Sequence, residues 1–240
     1  MMAKSVLHLA DSRGKADHGW LKSFHTFSFA SYYNPDRVHF GALRVLNDDR
    51  VEGGKGFGAH PHDNMEIISI PLKGELRHGD SMGNKGVIKP GEIQVMSAGT
   101  GVYHEEFNNL PDEAAAFLQI WVFPNKRNVQ PRYDQIKRNY QNQPNRLEQI
   151  LSPHPDDEGV WIHQNAWFHI GTFEKGHQTD YALKDPANNG VYVFVLRGDI
   201  TVNGQALHTR DGYGIWDVDR LNLSVDTDAE VLLMEVPMEV

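Results

Sequence analysis

The chain has 240 residues, 23 basic and 32 acidic, for a formal charge of −9, and it contains no cysteine. That length suits one large β domain or two modest ones, and 40% apolar residues can bury a real core, which excludes fibrous and wholly disordered classes. The acidic balance argues against wrapping nucleic acid through its phosphates, and the absence of thiols excludes disulfides, Fe–S clusters and cysteine-rich zinc sites, so any metal must rest on His, Asp, Glu or water.

From the N-terminus, Met1–Leu9 is too short an apolar stretch for an export signal, and no window reaches the ~18 apolar residues of a membrane span. A protein of the cytoplasm with no membrane partner is expected. Phe24, Phe27 and Phe29 read as a core aromatic knot, with His25 an internal histidine or a neighbour of a pocket mouth. Strand-favouring runs follow at Phe40–Leu46, Met65–Pro71, Glu92–Ser97 and Ala116–Phe123. Pro124, Pro131, Pro144, Pro153 and Pro155 then break the pattern, so 126–155 reads as a linker between domains 1–125 and 156–240. Within it, Tyr133, Ile136 and Tyr140 have helical spacing, diluted by Asn and Gln. Beyond it come Trp167–Phe173, Val191–Leu196, Ile200–Val202, Gly214–Val218, Leu221–Val225 and Val231–Val236. Val202-Asn203-Gly204-Gln205 is a hairpin signal, because Asn-Gly tolerates the positive φ of a type I′ turn. The fold class is all-β: two β barrels joined by an irregular connector.

Chemistry concentrates at Gly58-Ala59-His60-Pro61-His62 and at Gly101-Val102-Tyr103-His104-Glu105-Glu106. On a strand, residues i and i+2 face the same side, so His60 pairs with His62, and His104 with Glu106. Glu66 shares the parity of His62 and is a rival carboxylate. Three imidazoles with one carboxylate make a mononuclear site open to Fe, Ni, Co, Cu, Mn or Zn. His154, His163, His169, His177 and His208 are scattered, so the second half is expected to be metal-free. Met65, Ile67, Met96 and Phe117 are candidates for lining the site, with core packing the simpler reading.

These residues resemble the cupin superfamily, and within it the pirin family, most of all its bacterial quercetinase-like members. Gly54, His60, His62 and Glu66 follow the first cupin motif, with Gly74 one residue late; Gly101, His104 and Asn108 keep part of the second. Stretches specific to the family are Ser23–Phe29, His60-Pro61-His62, His78–Asn84 and Pro90–Gly101. The resemblance implies a bicupin whose N-terminal half binds one divalent transition metal, with iron the first expectation, through His60, His62, His104 and Glu106. It also implies that Glu106, not Glu66, is the carboxylate ligand and acts as the catalytic base.

The implied activity is a quercetin 2,3-dioxygenase: a flavonol such as quercetin reacts with O2, its heterocycle opens and carbon monoxide leaves. Other classes stay open, namely a metal-binding pirin-like regulatory protein or a cupin enzyme on another small phenolic metabolite. The chain has no basic nuclear-targeting run, which favours the enzyme. Lys126, Arg127, Arg132, Lys137 and Arg138 form the densest basic stretch, but sparse aromatic interleaving leaves no nucleic-acid reading. A monomer is expected.

Overall fold

A computed structural model describes residues 3–140 and 142–240, almost entirely as β-strands, with short 3₁₀ turns at Ala10–Ser12 and Pro35–Arg37. Each half pairs a seven-stranded sheet with a four-stranded one. Edge to edge, the larger N-terminal sheet runs Arg132–Lys137, Glu92–Ser97, Glu66–Lys73, Ala115–Val122, Leu43–Val51, Leu21–His25 and Gly14–Asp17. Its smaller partner runs Gly56–His62, Val102–Asn108, Leu76–Asp80 and Lys85–Ile88. In the C-terminal half the larger sheet centres on Asn189–Arg197, Ala229–Pro237 and Trp167–Phe173, and the smaller on Arg220–Val225 and Ile200–Val202. The Asn203-Gly204 hairpin forms as its sequence predicts, with φ of 47° and 85°.

Strand alternation divides each large sheet into two faces. Leu46, Ile68, Ile93, Val95, Leu118 and Ile120 share one apolar cluster with Phe168, Phe194, Leu232 and Met234, so the two large sheets pack against each other across the junction of the halves. At roughly 25 cal/mol per Å² of apolar surface removed from water, this shared core does much of the work of holding the halves together. The opposite faces turn into each half's own interior. In the C-terminal half that interior is apolar, built from Val191, Val193, Val195, Leu221, Leu223, Val231 and Leu233 among others.

Three features cross the expected domain limits. Lys4–His8 pairs with Gly212–Trp216 and so forms an edge of the C-terminal large sheet. His8 Nδ1 reaches the Tyr192 hydroxyl at 2.8 Å there. The stretch 126–155 contains structure of its own. Arg132–Lys137 pairs with Glu92–Ser97 as a strand, where helical spacing had been noted, and Glu148–Ser152 joins the C-terminal sheet. Pro131 sits just before an edge strand, a position that needs no ladder donor. Glu148 gathers the connecting turn, accepting from Arg138 Nε and from the backbone N–H of Asn139 and Tyr140 at 2.7–3.1 Å.

Candidate metal centre

The paired histidines sit in regular register beside a local bulge between two strands. His104 lies opposite His60, but two residues on, Glu106 lies opposite Phe57, so the Gly56–His62 strand carries one extra residue. The approach is close: at Gly56 a Cβ would collide with the Glu106 carbonyl oxygen, so only glycine fits. The ring centroids of His60 and His104 stand 4.4 Å apart, and each lies 4.9 Å from His62. Nitrogens of all three fall within 4.8 Å of one another, and so do the ring nitrogens of His78 and His104 with a Glu106 carboxylate oxygen. The residues expected from the sequence thus converge around His104, and His78 joins them. Among the described residues, both groupings lie in the N-terminal half.

The protonation states suit a cation ligand. His60 Nδ1 lies 2.8 Å from the Gly58 carbonyl, which only accepts, so Nδ1 donates there and Nε2 is the nitrogen turned to a metal. Burial, then the neighbouring His60, pushes His62 down to about 4. Burial and the surrounding imidazoles push His104 down to about 2. His104 is 2% exposed, and neither ring nitrogen has a protein partner. A buried imidazole left without partners loses roughly 1–3 kcal/mol of hydrogen bonding, and a metal on one nitrogen would remove part of that deficit. The residues therefore fit a transition-metal ion held by imidazole and carboxylate.

The two rival carboxylates part company in three dimensions. Glu106 is buried at the cavity floor, where Ser69 Oγ donates to its Oε1 at 3.0 Å. Burial raises its pKa to about 7, Ser69 opposing and Asp49 adding to the shift. Glu66 lies on the other face of its strand, in phase with Ile68 and Ile70 and turned to the junction. There it accepts from Ser97 Oγ at 2.6 Å and from the His163 backbone. The parity it shares with His62 is broken between the strands, where Asn64 turns with φ of 45°.

His78 is a wall of the site, with both nitrogens engaged. Its Nε2 donates to Asp80 Oδ2 at 3.0 Å, and Gln94 Nε2 donates to its Nδ1 at 3.1 Å. Its ring stacks on Tyr133 and leans on His104. In the sequence this pair lies within His78–Asn84, a stretch that marks the family resemblance but assigns His78 no role.

A cavity of about 570 Å³ opens on His60, His62, His104 and Glu106. Trp20 with Phe57 and Phe29 with Trp121 form edge-to-face pairs along it, at 5.5 and 5.4 Å. Ser23, His25, Asn47, Asp49 and Gln119 also line it. Of these only His25 stood out in the sequence. Burial raises the Asp49 carboxyl to about 7. Ile67 and Met96 instead pack in a small apolar cluster against Met65, and Phe117 packs in another. Phe27 is core, as expected, whereas Phe29 faces the cavity. A larger cavity, about 760 Å³, lies at the junction of the halves and touches none of the clustered histidines.

Comparison with known proteins follows the same division. The family model Pirin matches residues 6–122, and the model for the quercetinase C-terminal cupin domain matches residues 149–236. A protein of Escherichia coli K12 named quercetin 2,3-dioxygenase is 43% identical over 231 residues, 96% of this chain and 98% of its own. A pirin-like protein of Caulobacter vibrioides is 39% identical over 227 residues, 94% of this chain and 96% of its own. The structure of the E. coli bacterial pirin YhhW in complex with nickel(II) superposes with a TM-score of 0.92 at 40% identity, covering 99% of this chain and 100% of the other. No helix among the described residues is long and apolar enough to cross a membrane. Agreement that runs through both halves, well beyond the strands that carry the histidines, makes this chain a member of the pirin family of the cupin superfamily.

Proposed function

We propose that the protein is a metal-dependent dioxygenase that opens the heterocycle of a flavonol such as quercetin with O2 and releases carbon monoxide. Its one divalent metal, iron or nickel, is held by His60, His62, His104 and Glu106 in the N-terminal half, residues 1–125. The observation that carries this reading is the convergence of three imidazoles and one sparsely bonded buried carboxylate on an aromatic-flanked cavity. Relatives named for quercetin 2,3-dioxygenase support the reaction class.

A metal bound there supplies charge stabilisation for a deprotonated substrate hydroxyl and a place for oxygen beside it. The protein's own residues do the rest. Aromatic pairs on the flanks hold a flat ring system and keep bulk water away from it. The Gly58 carbonyl holds the His60 ring with its lone pair inward. Glu106 takes the flavonol 3-hydroxyl proton, and its raised pKa suits a base working near neutral pH. Ser69 holds the carboxylate in line by donating to Oε1.

Glu106→Gln tests this. Glutamine keeps the size and one coordinating oxygen but cannot take up the proton. At verified metal occupancy, oxygen consumption and quercetin loss should fall about 10²–10⁴-fold, the usual worth of a positioned acid–base group. Glu66→Gln, facing the junction, should cost far less. Full activity in the metal-loaded Glu106→Gln protein removes the base role. Absence of turnover by the parent protein loaded with Fe, Ni, Co, Cu, Mn or Zn overturns the dioxygenase reading.

A further inference from the structure

The cavity has a polar floor that the metal centre does not use. Alternation along Leu43–Val51 turns Asn47 and Asp49 inward, 2% and 5% exposed, directly across from His25 and Ser23 of the neighbouring strand. On the other side Gln119 lies opposite Asn47. The side chains bond incompletely. Asp49 Oδ1 accepts from Ser23 Oγ, its one side-chain hydrogen bond among the described residues, and the residue lines the cavity. Asn47 Oδ1 has no partner, and Gln119 touches Ser69 Oγ at 3.3 Å.

We propose that Asp49, flanked by Asn47 and Gln119, is the specificity-determining element of the cavity: it reads hydroxyl groups that an aromatic ligand carries apart from the oxygen bound at the histidines. The assignment rests on the reading of this cavity as a flavonol site. Three observations lead to it. Neither Lys nor Arg lines the cavity, so Asp49 is not half of an ion pair there and is left to accept from a ligand. The aromatic flanks suit a flat, uncharged ring system. The fold itself does not demand polar residues at such inward positions, because the C-terminal large sheet fills them with Val193 and Leu233. A buried polar strip with free acceptors discriminates strongly against ligands that cannot pair with it.

The test compares quercetin with 3-hydroxyflavone, which keeps the 3-hydroxyl and the 4-keto oxygen but lacks quercetin's other hydroxyls. Dissociation constants from tryptophan quenching are measured for metal-loaded and metal-free protein, with metal content and KM against kcat in parallel. The parent protein should prefer quercetin. Asp49→Leu should weaken quercetin binding by about 10- to 100-fold, the worth of a hydrogen bond to a charged group, with 3-hydroxyflavone binding and metal content unchanged. Asp49→Asn, which keeps the shape and one oxygen, should fall between, and the loss should sit in KM. A quercetin preference that survives both substitutions overturns the proposal. Hydroxyl-dependent binding that the substitutions abolish, without any oxygen consumption by the parent, upholds the proposal and removes the dioxygenase reading. Failure of the parent protein to bind either flavonol overturns both.

Discussion

The two halves use the same pair of sheets to enclose opposite interiors. Across the N-terminal large sheet one inward rung reads His25, Asn47, Gln119, Ser69 and Gln94 on successive strands. A corresponding rung of the C-terminal sheet reads His169, Leu233, Val193 and Tyr213. The buried carboxylates differ as sharply. Glu235 accepts from the Tyr181 hydroxyl, the backbone N–H groups of Lys184 and Asp185, and Asn189 Nδ2, all at 2.6–3.0 Å. Glu106 accepts from Ser69 alone among the described residues. A saturated carboxylate pins a loop; an unsaturated one is free to take a metal or a proton. The N-terminal half can hold such an interior because its apolar residues face the shared core at the junction.

The contrast can be broken deliberately. The largest effect is expected for His104→Ala, which should take metal from about one ion per chain to below about a tenth while the β signature in circular dichroism persists. The imidazole has no protein hydrogen bond to lose, so the melting temperature of the metal-free variant should stay close to that of the metal-free parent. Collapse of the metal-free variant would show that His104 is a packing residue after all.

Leu233→Ala makes the reverse cut. Removing a fully buried leucine from the apolar interior should cost about 2–5 kcal/mol in denaturant unfolding and leave metal stoichiometry intact. Loss of metal in that variant would mean that the halves are coupled more tightly than their separate interiors suggest. Glu235→Gln should cost about 1–3 kcal/mol, because an amide N–H₂ would then face backbone donors. Unchanged stability would contradict its pinning role.

A last effect, spread over several pH units, concerns Glu66. Burial raises Glu66 to about 7, Ser97, the His163 backbone and Arg132 opposing the shift. With the folded pKa above the unfolded one, the folded state binds the proton more tightly, so this contribution is fully present below about pH 4.5 and is lost as pH rises through 7. Glu66→Gln should therefore flatten the fall in stability between about pH 4.5 and 8, by up to about 3 kcal/mol. A parallel pH profile in parent and variant would show that Glu66 is not the group responsible.

What the sequence by itself determined is local. A period of two puts His60 with His62 and His104 with Glu106, whatever lies elsewhere in the chain, and Asn203-Gly204 dictates its own turn. The family resemblance supplied the choice of Glu106, which parity alone left open against Glu66. Tertiary structure decided what depends on register between distant strands. Asn47-Asp48-Asp49-Arg50 looks like a break, yet Leu43–Val51 runs through it, because Asn47 and Asp49 face a cavity while Asp48 meets Arg13 and Arg210 on the other side. Lys4–His8, noted in the sequence only as too short for an export signal, finds its ladder more than 200 residues away. Hydrogen-bond pairing and the face a turn presents are set by partners that no local window contains, and for that reason the clustered histidines were legible and the polar floor beneath them was not.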